Sequence, residues 1–150
     1  MSVARPAAEF DNLADLADLA DLADLPEIRV TEEGEVRHEG ATDDEKTYAL
    51  LTHLSPMVAW IVLGPLTFLA PLVMWLIRRS GSVFIDDHGR EATNFCISFL
   101  LYHILLGITI IGIFAFPILW IMMVINQIRA AMAASNSAFF RYPLTIRFIS

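Results

Sequence analysis

The residues best equipped for chemistry lie in one short run, Asp86-Asp87-His88-Gly89-Arg90-Glu91-Ala92-Thr93-Asn94, with His53 and His103 standing alone in apolar sequence on either side. Carboxylates next to an imidazole are the raw material of general acid–base catalysis or of a metal centre. On a helix that starts near His88, the side chains of His88, Glu91 and Asn94 follow at i, i+3 and i+6 and share one broad face. Asp86 and Asp87 then sit at the positive end of the helix dipole and cap it. Three roles fit this face. A polar helix start at a water boundary weighs most, because charges commonly flank membrane spans. A latch, in which His88, Glu91 and Asn94 bond to other helices, comes second. A metal or proton-handling site completed by His53 and His103 comes last, because three isolated histidines lack the tight spacing of a ligand set.

The elements that must position these residues are membrane helices. Residues 92–128 contain no Asp, Glu, Lys or Arg, and as one helix they would run about 55 Å against a hydrocarbon core of about 30 Å. The stretch must cross twice, with a turn placed where Gly112 and Pro117 interrupt the apolar pattern. Residues 49–77 would make a helix of about 43 Å, too long for one straight crossing. The adjacent Gly64-Pro65 near the midpoint predicts a hairpin of two short helices in preference to one kinked helix. The fold class is therefore all-α, a polytopic membrane helix bundle of three to four transmembrane or re-entrant helices, at about 48–63, 66–79, 90–111 and 114–134. A hairpin puts Lys46, Arg78, Arg79, Arg90, Arg129, Arg141 and Arg147 on one side, which makes that side, and both termini, cytoplasmic in a multi-pass cell-membrane protein.

Composition agrees. Of 150 residues 56% are hydrophobic and only 18% charged, below the roughly 25% of soluble domains. The net charge of -7 divides unevenly: residues 1–45 hold 14 acidic and 3 basic residues, giving -11, and residues 46–150 hold 7 basic and 3 acidic, giving +4. An acidic tail, residues 1–46, is thus joined to a membrane domain, residues 47–150. Within the tail Leu-Ala-Asp repeats four times from Leu13 to Asp24. A period of three winds around a 3.6-residue helix without giving it an apolar side, so the repeat reads as disordered ahead of a docking segment. Residues 31–46 read as linker. The start, Met1-Ser2-Val3-Ala4-Arg5-Pro6, does not read as a secretory signal. Cys96, the single cysteine, reads as a small core hydrophobe. Towards the end, Phe139-Phe140-Arg141-Tyr142-Pro143 and the residues after it mix aromatics with arginines and predict an anchor on the cytoplasmic surface, where Arg141 and Arg147 would add about 1 kcal/mol each near anionic lipid.

Three segments carry a family resemblance: Thr47-Tyr48-Ala49-Leu50-Leu51-Thr52-His53-Leu54-Ser55, then Asp87-His88-Gly89-Arg90-Glu91-Ala92-Thr93-Asn94-Phe95, then Tyr142-Pro143-Leu144-Thr145-Ile146-Arg147-Phe148-Ile149. With these the chain resembles a bacterial family of small membrane proteins of unknown function, similar to the twenty-kilodalton subunit of the chloroplast inner-envelope protein translocon. The resemblance implies a bundle of three or four helices and a link to protein translocation. It covers about residues 46–150 and marks Tyr142 and Arg147, beside Asp87, His88, Glu91 and Asn94, as structural or interaction candidates.

The function that follows is a non-enzymatic subunit or scaffold working through helix contacts. Neither a nucleophile with a base nor a phosphate-binding loop is visible, and Ser55 and Ser98 have no evident base. No catalytic residue, cofactor or metal is expected. The expected partners are the lipid bilayer and either further copies of the chain or other membrane proteins, with no nucleic acid. The alternative is an oligomeric transporter or channel for a small solute or ion, lined by the broken first hairpin.

Overall fold

The structure, a computed structural model, describes residues 28–32 and 34–149. The Leu-Ala-Asp repeat, with the expectation that it is disordered, lies outside the described residues. Two short strands, β1 (Ile28–Val30) and β2 (Val36–His38), come first. Four helices follow: α1 (Asp43–Leu63), α2 (Leu69–Arg78), α3 (Val83–Gly107) and α4 (Ile110–Ser135). The described residues are thus mostly helical.

Local chemistry sets the helix bounds. α1 opens on a capping box, in which Thr42 Oγ1 accepts from Glu45 N at 3.3 Å and Glu45 Oε2 accepts from Thr42 N at 2.7 Å. Pro56 lies inside α1 without breaking it, because the Thr52 carbonyl, which a proline at 56 cannot serve, accepts from Ser55 Oγ at 2.8 Å. The helix stops at Gly64, whose φ of +53° suits glycine, and the Gly64–Leu66 turn sends the chain back. The reversal falls where expected, but only α2 is a short helix: α1 begins at Asp43 and runs 21 residues. Arg78 of α2 pairs with Asp44 of α1 at 2.8 Å, and Tyr48 Oη donates to Met74 O at 2.7 Å.

Two expected boundaries are corrected. α3 begins at Val83, not near His88, because Ser82 is its cap, accepting from Ile85 N at 3.4 Å. Asp86 and Asp87 therefore lie inside the helix. Asp86 accepts from Trp75 Nε1 at 2.7 Å and pairs with Arg90 at 3.3 Å. The second turn falls at residues 108–109, not at 112–117, because Thr109 caps α4 by accepting from Gly112 N at 3.2 Å. Pro117 is inside α4. Gly112 is needed for a different reason, since a Cβ there would collide with the backbone of Leu106.

Residues 31–46, expected as linker, instead carry β2 and the first turn of α1. The antiparallel hairpin pairs Ile28 with His38 and Val30 with Val36, and Phe139 N donates to Val36 O at 2.9 Å. Ile28 and Val36 bury against Ala41, Ala49, Phe84, Ala134 and Phe139, so a period-two apolar pattern diluted by charges still finds a core.

All helices pack antiparallel to their chain neighbours, and α1 also lies against α3 and α4. Near its end α1 meets the early part of α4, where Trp60 and Trp120 stack edge to face at 4.7 Å. The starts of α1 and α3, the ends of α2 and α4 and the strands thus share one end of the bundle. Among the described residues the opposite end has only the turns at residues 64–68 and 108–109. α2 and α3 touch where Gly89 meets Trp75: a Cβ at 89 would lie 2.5 Å from Trp75 Cδ1. Gly89→Ala is therefore expected to cost about 1–3 kcal/mol as an overpacked contact, measured by unfolding in detergent.

Polarity is inverted relative to a water-soluble fold. Ile61, Val62, Ile108 and Phe114 are 76–84% exposed, whereas His53, His88, Asp87, Glu91 and Arg141 are at most 3% exposed. Two segments, Asp43–Leu66 and Phe114–Ser135, are helical, long and apolar enough to cross a membrane. At 10 residues α2 reaches only about 15 Å.

Candidate functional site

α3 carries a polar stripe at Asp87, Glu91, Asn94, Ser98 and Tyr102. Steps of four, three, four and four keep these residues on one helical face. Along this face lies the segment that follows α4. Asp87 takes both ends of the Arg141 guanidinium, at 2.8 and 2.7 Å, with both side chains buried. Glu91 Oε1 accepts from the Tyr142 backbone N–H at 2.8 Å, and the Glu91 carboxylate also pairs with Arg147 at 3.2 and 3.3 Å. Asn94 serves three backbone groups: its Oδ1 accepts from Phe148 N at 3.1 Å and Ile149 N at 3.0 Å, and its Nδ2 donates to Ile149 O at 2.8 Å. Ser98 Oγ accepts from Ile146 N at 2.8 Å, and Tyr102 Oη donates to Leu144 O at 2.6 Å.

His88 lies on the adjoining face and turns to α1. Its Nδ1 stands 2.7 Å from His53 Nε2, and His53 Nδ1 stands 2.8 Å from Tyr142 Oη. Burial, with Cys96 and Glu91 adding to it, holds the Tyr142 hydroxyl well above the ordinary phenol value. The hydroxyl therefore stays protonated, and one proton lies in each of the two bonds that link Tyr142 to His53 and His53 to His88. Phe139 stacks on His88 at 5.8 Å and Phe95 on Tyr142 at 4.0 Å, closing the cluster with rings.

All six residues singled out in the sequence meet here: Asp87, His88, Glu91 and Asn94 from α3, and Tyr142 and Arg147 from the segment after α4. The three histidines do not meet. His53 and His88 bond each other directly, and His103 Nδ1 bonds its own helix at Phe99 O, at 2.8 Å. Among the described residues no group of three His, Cys, Asp or Glu side chains is placed to hold a metal ion. The expectation that Arg141 grips headgroups is corrected, since it is 1% exposed and held by Asp87. Sequence reasoning also missed Ser98 and Tyr102, although their spacing from Glu91 and Asn94 continues the stripe. Chemically the arrangement is a lock. Its carboxylates face guanidinium and amide donors, and its imidazoles face each other and a phenol.

Residues 44–149, more than two thirds of the chain, match the magnetosome magnetite crystal formation protein family. No curated protein and no solved structure matches the chain. All three segments that resemble the translocon-like family fall inside the matched region, so that resemblance is overturned, and with it the implied link to protein translocation.

Proposed function

Because the chain belongs to the magnetosome magnetite crystal formation protein family, we propose that it serves magnetite crystal formation as a non-enzymatic structural subunit of the membrane. The observation that carries this reading is the use made of the buried polar groups. Asp87, Glu91, Asn94, His53 and His88 are each engaged in holding α1, α3 and the segment 141–149 together. Groups so engaged fix a shape, and a fixed shape is what a scaffold offers to partners.

In this reading α1, α3 and α4 cross the bilayer, and the short α2, with the turns that flank it, carries the chain back to the side on which α1 starts. Lys46, Arg78, Arg79, Arg90 and Arg129 then collect at the end that bears the strands, and the positive-inside rule makes that end cytoplasmic together with both termini. Arg141 and Arg147 add little to that count, because Asp87 and Glu91 neutralise them. The protein works through lipid and through other membrane proteins or further copies of itself.

The test is a gene deletion complemented with variants, read as the number and size of magnetite crystals by electron microscopy. Deletion is expected to shift the crystal size distribution, and the wild-type gene to restore it. The double variant His53→Phe, His88→Phe is expected to restore it wherever its protein level and its unfolding stability in detergent match the wild type. Unchanged crystals in the deletion would sink the assignment. Failure of the histidine variant at full protein level and wild-type unfolding stability would sink the non-enzymatic part of it.

A further inference from the structure

The segment after α4 does not run straight along α3. Arg141 bonds Asp87 and Tyr142 bonds Glu91, but Leu144 bonds Tyr102, Ile146 bonds Ser98, and Phe148 and Ile149 bond Asn94. The order of rungs on α3 is thus 87, 91, 102, 98, 94. The chain descends past Glu91, turns at residues 143–144, where Leu144 takes a left-handed φ of 59°, and climbs back. From Glu91 to Tyr102 is 11 residues, about 16 Å along the helix. Even with the Tyr102 side chain leaning back towards the helix start, the tip lies well below the level of Arg90.

Side chains in the returning arm alternate. Leu144, Ile146 and Phe148 are 65%, 42% and 54% exposed, and Thr145, Arg147 and Ile149 between them are partly covered. The exposed row is wholly apolar. Seven backbone groups are directed the other way: Tyr142 N, Leu144 O, both Ile146 groups, Phe148 N and both Ile149 groups meet α3 side chains. Irregular backbone is tolerated in hydrocarbon where protein satisfies its polar groups, and the stripe on α3 supplies partners for these seven.

We infer that residues 143–149 form a re-entrant loop inserted in the bilayer, with Leu144, Ile146 and Phe148 against lipid acyl chains. The exposed row is continuous in character with the apolar belt of α3 and α4, in which Ile104, Leu105, Ile121 and Ile125 are 50–61% exposed. The aromatic and apolar residues of this segment therefore lie within hydrocarbon, below the surface position that composition alone predicts. The inference rests on the reading of α3 as a crossing helix, and the experiment separates the two.

Single cysteines at Leu144, Ile146, Phe148, Ile104 and Glu39, in a Cys96→Ala background, are spin-labelled in liposomes, and collisions with oxygen and with a water-soluble nickel chelate are compared. Labels at 144, 146 and 148 are expected to favour oxygen as the label at 104 does, most strongly at 144, while the label at 39 favours nickel. Nickel-dominated collisions at 144 with oxygen-dominated ones at 104 would overturn the loop and leave α3 in place. Nickel-dominated collisions at both would overturn both. Since these side chains are exposed, labelling needs no repacking. A fluorophore attached at position 144 of the Leu144→Cys variant gives a second reading: mid-chain brominated lipid is expected to quench it, and no quenching would also overturn the loop.

Discussion

Arg141→Met is expected to destabilise the protein by about 3–5 kcal/mol, because it leaves Asp87 charged and alone in a closed interior. Both side chains are nearly inaccessible, at 1% and 4% exposure, and the pair is bidentate at 2.7 and 2.8 Å. The loss reflects the stranded partner more than the strength of the pair. The double variant Asp87→Leu, Arg141→Met removes both charges and is expected to regain most of the loss. Unfolding of the detergent-solubilised protein, followed by tryptophan fluorescence, measures both. A single variant as stable as the wild type would show that the ion pair does not hold the segment to α3.

Asn94→Leu is expected to cost about 3 kcal/mol or more, since it orphans two backbone N–H groups and one carbonyl, each worth about 1–3 kcal/mol when left unsatisfied. All three belong to Phe148 and Ile149. The variant should therefore release the returning arm while the Asp87–Arg141 anchor holds. Hydrogen exchange at residues 146–149 is expected to rise sharply, with little change at residues 43–63. Equal protection of the arm in variant and wild type would show that Asn94 is not what fastens it.

Much of this was legible in the chain. The Gly64-Pro65 pair marked the first reversal, since glycine supplies a left-handed φ and proline ends hydrogen bonding. The long charge-free run marked two further helices. Boundaries were less legible. Ser82 and Thr109 cap α3 and α4, but Asp86-Asp87 and Gly112 with Pro117 are stronger local signals that tertiary packing overrides. Trp75 takes Asp86, and Arg141 takes Asp87. The site was visible in its members and hidden in its purpose. Glu91 and Asn94 read first as a polar helix start at a water boundary and second as bonding to other helices, whereas they hold backbone groups, and on Glu91 also the Arg147 guanidinium, from more than 50 positions further along the chain. Side-chain pattern does not reveal a partner that is backbone.

Asp87 and Arg141 are 54 residues apart in the chain, and all of α4 lies between them. A ribosome therefore exposes Asp87 long before it makes the arginine that neutralises it. Until then the start of α3 must stay where water can solvate its carboxylates, and α3 can settle to its final depth only when α4 is in place and the following segment arrives. The segment after α4 thus completes the burial of a helix made much earlier, so in this protein later sequence finishes the insertion of earlier sequence.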